Sequence, residues 1–270
     1  MRKIAHLLYL LLSNVIRKIN SIWYHFDSID DILPKFSGAG NRIQWRQKIL
    51  PNFGNFQNNS MTSSSLRKWF YSRLAEEIDF EFDIELKQKI TDQEDSKLLE
   101  IYPGVYYKIM CVMLTSLRPS LSLEIGTLRG TGTACISHYS KETITFDILP
   151  VSFFTGIDSF SADKKITQIL TDISIEEEYL KYETQISNAD FIFLDGPKDG
   201  KFERIVISKL IKSMKPTCVL MIDDIAFNNM SDLWHGIKSD KLDFTSFGHW
   251  SGSGIVIKDI EQLLMRLNKN

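Results

Sequence analysis

The chain has 270 residues, enough for one large domain with a well-buried core and an additional segment. A hydrophobic content of 43% and a charged content of 24% are ordinary for a soluble globular protein. The formal net charge of -2 excludes a strongly basic chain, so we expect no nucleic acid and no anionic membrane as the main partner.

The amino terminus predicts an amphipathic helix over residues 4–19. Residues 1–12 have the charged start and apolar run of a signal peptide, but no small-residue cleavage site follows them. The apolar run is also shorter than the roughly 20 residues that a membrane-spanning helix needs. Three alternatives stay open for this helix: packing against the protein body, self-association as in a homodimer, and weak attachment to a membrane surface.

A loop-rich connector and a helical lead-in follow. Residues 28–65 are rich in glycine, proline, serine and asparagine, which oppose regular structure, so residues 1–65 are assigned to the first helix and the connector. Helical spacing returns from Leu66 to about Leu99, and a further helix is expected after Pro103, a residue that suits a first helical turn. Residues 66–118 form the predicted lead-in.

From residue 119 to residue 270 the pattern alternates between strands and helices. Short apolar runs predict strands at 121–125, 143–146, 166–170, 191–194 and 218–222. The helices predicted between them cover 131–139, 175–186 and 202–214. Such alternation is typical of an α/β fold with a doubly wound parallel sheet. Residues 242–247 and 254–257 predict an antiparallel hairpin at its end.

Acidic residues follow two of the predicted strands. Asp195 comes after the run 191–194, and Asp223 and Asp224 come after the run 218–222. The carboxyl ends of parallel strands meet at one edge of a sheet, where open α/β sheets bind their ligands. Carboxylate oxygens suit a hard cation such as Mg²⁺. With Lys198 three residues after Asp195, the pattern predicts a cation site beside a lysine that deprotonates a hydroxyl.

A glycine-rich turn follows the first predicted strand. Gly126 and Gly130 allow a tight turn that approaches a ligand closely, and the helix that begins near Gly130 directs free N–H groups toward that ligand. The spacing is GxxxGxG, whereas the dinucleotide fingerprint is GxGxxG. Glu124, just before the first glycine, would repel a pyrophosphate but pair with an ammonium group.

The turn resembles motif I of the class I S-adenosylmethionine (SAM)-dependent methyltransferases, and Asp147 is similar to the acid that binds the ribose hydroxyls in that family. The resemblance implies a Rossmann-like, doubly wound, mostly parallel seven-stranded sheet that ends in an antiparallel hairpin. It places Glu124 and Gly126 at the methionine end of SAM, Asp147 at the ribose and Asp172 near the adenine. The full set of SAM contacts that it implies is Glu124, Gly126, Thr127, Gly130, Thr131, Asp147 and Asp172.

The stretch 194–199 resembles the metal-dependent catechol O-methyltransferase-like enzymes, which carry Leu-Asp-x-x-Lys-Asp there and a second acidic pair after the next strand. The resemblance implies that Asp195, Asp223 and Asp224 bind a divalent cation, with Mg²⁺ expected. Asp195 and Lys198 are then the catalytic residues, with Lys198 as general base. The family usually has Asp-Asn in the second pair, so Asp224 adds a negative charge. A base at neutral pH needs a lowered lysine pKa, which burial or a neighbouring cation supplies.

The combined prediction is an O-methyltransferase that transfers a methyl group from SAM to a hydroxyl of a phenol, a sugar or a secondary metabolite. Cys111, Cys135 and Cys218 lie far apart in apolar stretches, which favours buried free thiols and a cytoplasmic protein, with peripheral membrane contact left open. Two alternatives remain: a metal-independent methyltransferase of the same fold and a non-catalytic protein that binds an adenosyl ligand. A nicotinamide oxidoreductase is disfavoured by the glycine spacing.

Overall fold

The computed structural model describes residues 62–77, 80–82, 84–90, 99, 105–155, 160, 163–245 and 251–268. They contain a seven-stranded sheet with the order β3-β2-β1-β4-β5-β7-β6. Strands β1 to β5 pair in parallel, and β7 is antiparallel to both of its neighbours. The strands are β1 Leu121–Ile125, β2 Glu142–Asp147, β3 Ile166–Leu170, β4 Phe191–Leu194, β5 Val219–Asp223, β6 Asp240–Asp243 and β7 Ser253–Ile257.

Helices cover both faces of the sheet. The helices of the described residues are α1 Ser64–Glu77, α2 Ile84–Lys89, α3 Val105–Leu117, α4 Thr131–Tyr139, α5 Val151–Thr155, α6 Glu176–Leu180, α7 Glu183–Asn188, α8 Phe202–Ser213, α9 Met230–Gly236 and α10 Ile260–Leu267. Among these, no helix combines the length and the apolar character needed to cross a membrane.

The two faces bury separate cores because side chains alternate along each strand. In β4, Phe191 and Phe193 pack with α1, α3, α4 and α10, whereas Ile192 and Leu194 pack with α6 to α9. Strand β4 is therefore buried on both faces, as expected for a central strand of a parallel sheet. The three cysteines are buried, and none of them is in a disulfide within the described residues.

The predicted fold class is confirmed, and most element boundaries agree within one or two residues. The predicted helix 175–186 is instead two helices, because the chain turns at Tyr182, whose ring packs edge-on against Phe146 at 5.2 Å. The first hairpin strand ends at Asp243, earlier than predicted, because the Asp243 carboxylate accepts hydrogen bonds from the backbone N–H and hydroxyl of Thr245. The helix predicted over 4–19 and most of the connector lie outside the described residues.

A buried lysine attaches α9 to the hairpin. Lys241 of β6 donates from Nζ to the carbonyl oxygens of Trp234, His235 and Ile237 at the end of α9. The Trp234 ring in turn packs against Gly254 of β7, where an added Cβ would lie 2.4 Å from a ring carbon. These contacts hold β7 beside β5, the strand that carries Asp223.

Candidate active site

The order in which the chain adds strands to the sheet reverses between β1 and β4. From β1 the chain builds outward to β2 and β3 on one side and then to β4 and β5 on the other. Such a switch point opens a crevice outside the carboxyl ends of the strands. Gly126 follows β1, Asp147 ends β2, Asp195 follows β4 and Asp223 ends β5, so all four lie along this edge. The shared edge expected from the sequence is therefore present.

The glycine turn and the acidic loop meet at the switch point. Gly126 has a φ of 104°, and its N–H donates to the Phe146 carbonyl oxygen at 2.9 Å. The Asp195 N–H donates to the Ile125 carbonyl oxygen at 2.8 Å. A Cβ at Gly126 would lie 1.9 Å from the Asp195 carbonyl oxygen, so only glycine fits.

Asp147 organises the turn that follows Gly126. Its two carboxylate oxygens accept the backbone N–H groups of Leu128 at 2.9 Å and Leu149 at 3.1 Å. Leu128 has a φ of 46°, a left-handed conformation that the bond from its N–H helps to hold. Asp147 remains half-buried, and each oxygen keeps a second lone pair that a ligand hydroxyl can use.

Glu124 lies beneath the turn. It is 1% exposed, and its Oε2 accepts hydrogen bonds from the hydroxyls of Thr133 and Thr145. Its Oε1 faces Gly132 so closely that an added Cβ would lie 2.2 Å away. Burial raises the pKa of Glu124 to about 8, against the lowering effect of the two threonine hydroxyls. Glu124 thus supports the turn from below with a carboxyl that retains its proton near neutral pH.

The other predicted SAM residues are divided between the turn and the loop after β3. Thr127 is buried, and its hydroxyl is 2.6 Å from that of Thr145; Thr131 is also buried, at the start of α4. Gly130 has a φ of 83° and lies against the Phe160 ring. Asp172 follows β3, farther along the edge, and accepts hydrogen bonds from the backbone N–H and the hydroxyl of Ser174.

The three predicted metal ligands are together. One oxygen from each of Asp195, Asp223 and Asp224 lies within 4.8 Å of the others, a spacing compatible with a shared cation. Lys198 enters the same cluster, with Nζ 2.7 Å from Asp195 Oδ1 and 3.3 Å from Asp224 Oδ2. The Lys198 side chain is 3% exposed, whereas those of Asp195 and Asp224 are 28% and 23% exposed. The ammonium therefore lies on the inner side of the cluster.

The charged groups of the cluster shift one another's pKa values. Burial alone would lower the pKa of Lys198, but the carboxylates of Asp195, Asp224 and Asp223 outweigh it and hold that pKa well above its ordinary value. Burial also raises the pKa of Asp195 to about 6, opposed by Lys198 and reinforced by the two other carboxylates. A general base requires a lowered lysine pKa, so in this arrangement Lys198 is an ammonium ion.

The candidate ligand atoms of Asp195, Asp223 and Asp224 suit a hard divalent cation. They are carboxylate oxygens, which Mg²⁺ and Ca²⁺ prefer. With all groups ionised, the three carboxylates and the one ammonium leave a net negative charge that a divalent cation would neutralise. Lys198 already pairs with two of the three ligands and would have to yield to a cation bound there.

Two residues near the cluster were not predicted. Ser253 of β7 is fully buried and donates to Asp223 Oδ1 at 2.7 Å, since the β5–β7 register sets these residues opposite each other. Tyr106 of α3 is buried, and burial, Tyr107, Asp223 and Asp195 all raise its pKa. The predicted hairpin strand was the available sequence signal for Ser253. Tyr106 lies at an apolar position of a helix, where nothing in the sequence distinguished it from a core residue.

Several solved structures are similar to this chain. A methyltransferase from Podospora anserina, solved with S-adenosylhomocysteine (SAH) bound, has 15% identity and a TM-score of 0.51 over 75% of this chain and 100% of that one. An O-methyltransferase from Bacillus cereus, in complex with SAH, has 16% identity and a TM-score of 0.46 over 69% and 96%. An O-methyltransferase from Streptomyces achromogenes involved in tomaymycin synthesis, in complex with SAM, has 10% identity and a TM-score of 0.48 over 72% and 98%.

The Podospora likeness shows that the chain has the Rossmann-like fold of class I SAM-dependent methyltransferases. No protein-family profile and no curated protein matches the sequence.

The contact at Gly126 predicts a position-specific effect of alanine. Gly126→Ala should destabilise the protein by about 3 kcal/mol or more, because its Cβ meets the Asp195 carbonyl and its φ is positive. Gly236→Ala, at a helical glycine with open space around it, is the matched control and should change stability by about 1 kcal/mol or less. Urea denaturation measures both, and equal effects would refute the role of the contact.

The buried carboxyl of Glu124 predicts that stability falls as the pH rises toward about 8. The ordinary carboxyl pKa of Glu is about 4.3, and in the folded protein the pKa of Glu124 is raised to about 8. The folded state therefore holds the extra proton between these values, and stability falls as pH rises through this window. Glu124→Gln, which keeps a neutral side chain of the same shape, should show a flatter decline in unfolding free energy between pH 5 and pH 9. Parallel pH profiles for the two proteins would contradict the assignment.

Proposed function

We propose that the chain is a SAM-dependent O-methyltransferase that methylates a hydroxyl of a small molecule such as a phenol or a sugar, assisted by a divalent cation at Asp195, Asp223 and Asp224. The observation that carries the proposal is the contact between Gly126 and the Asp195 backbone, because it brings the glycine turn beside the acid–lysine cluster. A donor at the turn and a hydroxyl at the cluster would share one crevice. The fold shared with an SAH-bound methyltransferase supports an adenosyl ligand at this turn.

On the donor side, the chain supplies position rather than activation. SAM carries a methyl group on a sulfonium centre that is already reactive, so alignment with the acceptor oxygen is the main requirement. Gly126 presents bare backbone at the switch point, and Asp147 offers half-exposed carboxylate oxygens one strand away for ribose hydroxyls. Glu124 is buried beneath the turn, so it would affect the donor indirectly, by supporting the backbone of the turn.

On the acceptor side, the proposed reaction forms a bond between the hydroxyl oxygen and the methyl carbon and breaks the carbon–sulfur bond. With the carboxylates neutralised by a bound cation, Lys198 would be a neutral amine that takes up the hydroxyl proton, and SAH leaves. A bound cation would acidify and orient the hydroxyl. The carboxylates that raise the pKa of Lys198 are also the cation ligands, so their neutralisation removes the cause of that raised pKa. Asp195 accepts a hydrogen bond from Lys198 Nζ at 2.7 Å and so keeps this side chain within the cluster.

A metal-independent methyltransferase is the second candidate, and the position of Lys198 favours it. Its ammonium already pairs with Asp195 and Asp224 and so supplies one positive charge inside the cluster. In that case the lysine acts as a fixed cation that orients the acceptor, and the hydroxyl proton passes to solvent water. The response of turnover to chelation separates the two candidates.

Methyl transfer to a panel of phenols and sugars, followed with methyl-labelled SAM, tests the proposal. We expect turnover that a chelator abolishes and Mg²⁺ restores, and a loss of about 100-fold or more in Asp195→Ala. Asp224→Asn, which restores the residue usual in the resembled enzymes, should keep activity. Asp232→Asn, an exposed change on α9, is the control.

Chelator-insensitive turnover would replace the proposal by its metal-independent alternative. Transfer to none of the hydroxyl compounds, with SAM bound, would contradict O-methylation.

A further inference from the structure

We propose that Glu203 is a positioning residue that sets the backbone of Lys198 and thereby aims its ammonium into the acidic cluster; the catalytic meaning of this role rests on the function proposed above. Glu203 lies in the first turn of α8 and is fully buried. A buried carboxylate is costly unless hydrogen bonds satisfy it. The groups that satisfy Glu203 belong to the loop that carries Lys198.

Both carboxylate oxygens of Glu203 accept backbone hydrogen bonds from this loop. Oε1 accepts the Lys198 N–H at 2.7 Å, and Oε2 accepts the Gly200 N–H at 3.0 Å. In the part of the chain that the structure describes, no lysine or arginine forms a salt bridge with Glu203. Hydrogen bonds from N–H groups to a carboxylate are stronger than those to a neutral acceptor. Glu203 therefore clamps the loop at two points on either side of Asp199.

The clamped backbone is in an unfavourable conformation. Lys198 has a φ of 60°, a left-handed conformation that is unfavourable for a residue other than glycine. Gly200 also has a positive φ, of 73°. Gly196 leaves room for the carboxylate, since an added Cβ there would lie 2.9 Å from Glu203 Oε1. With its N–H turned inward to Glu203, Lys198 directs its side chain to Asp195 and Asp224.

Stabilising the start of α8 is the competing role for Glu203, since an acid in the first turn favours a helix. Asp199 already performs that role. Its Oδ1 accepts the N–H groups of Lys201, just before α8, and of Phe202, the first residue of α8, both at 2.8 Å, and so satisfies a free donor of the first turn. Glu203 is directed at the loop instead. The two acids thus have different roles: Asp199 caps the start of the helix, and Glu203 fixes the backbone of the loop before it.

Amine labelling of the intact protein, read by mass spectrometry, tests these two roles without any acceptor. Buried, ion-paired Lys198 should label slowly relative to exposed Lys201 of the same loop. Glu203→Ala should raise the labelling of Lys198 relative to Lys201 by about tenfold or more, because the loop opens locally. Glu203→Gln, with one accepting oxygen, should give an intermediate increase and guards against misfolding of the alanine variant. Asp199→Ala, which removes the cap alone, should change the ratio by less than about twofold.

Equal Lys198 labelling in Glu203→Ala and Asp199→Ala would overturn the proposal. Turnover provides the second readout: the Glu203 variants should lower kcat while the KM for SAM stays within about twofold, because the donor turn is untouched. A wild-type protein that transfers no methyl group, combined with the graded labelling, would refute the function and keep the positioning role. If the wild type is active but Lys198 labels equally in the Glu203 variants and in Asp199→Ala, the positioning role is refuted and the proposed function is kept.

Discussion

The close approach of the β1–α4 turn to the loop after β4 is the constraint on which the site depends. Gly126 and the Asp195 carbonyl leave no space for a side chain between them. Because both segments leave adjacent parallel strands, the contact is set by the sheet itself, through the β1–β4 register. A ligand held at the turn is thereby placed beside the acidic cluster without help from a mobile segment.

Electrostatics give the two halves of the crevice different characters. Beneath the turn, Glu124 is buried with a pKa of about 8 and so adds little negative charge near neutral pH. Across the switch point, three carboxylates surround one buried ammonium, and the carboxylates hold the pKa of Lys198 high. The buried carboxyl beneath the turn is thus close to neutral, whereas the cluster across the switch point carries an excess of negative charge that a divalent cation would neutralise.

The parts of the site that follow from strand ends were predictable from the sequence. Short apolar runs locate β1, β4 and β5, and the carboxyl ends of parallel strands share an edge, so the meeting of Asp195 with Asp223 needs no further information. The sequence did not reveal whether the pKa of Lys198 is raised or lowered. Burial and carboxylates act oppositely on a lysine, and only the distances decide which effect prevails.

Other features depend on contacts between distant segments. The bond from Ser253 to Asp223 requires the register of β7 against β5, and the inward position of Glu124 requires Gly132 on the following helix. The clamp at Glu203 was equally hidden, because an acid in the first turn of a helix ordinarily interacts with that helix. Its actual partners, the Lys198 and Gly200 N–H groups, precede the helix in the chain.

The proposed function requires that the crevice at the β1–β4 switch point binds an adenosyl methyl donor. Calorimetric titration of the purified chain with SAH, SAM and NAD measures this binding. We expect saturable binding of SAH and SAM and none of NAD. Saturable NAD binding without binding of either adenosyl compound would contradict the account, because it would assign the glycine turn to a dinucleotide.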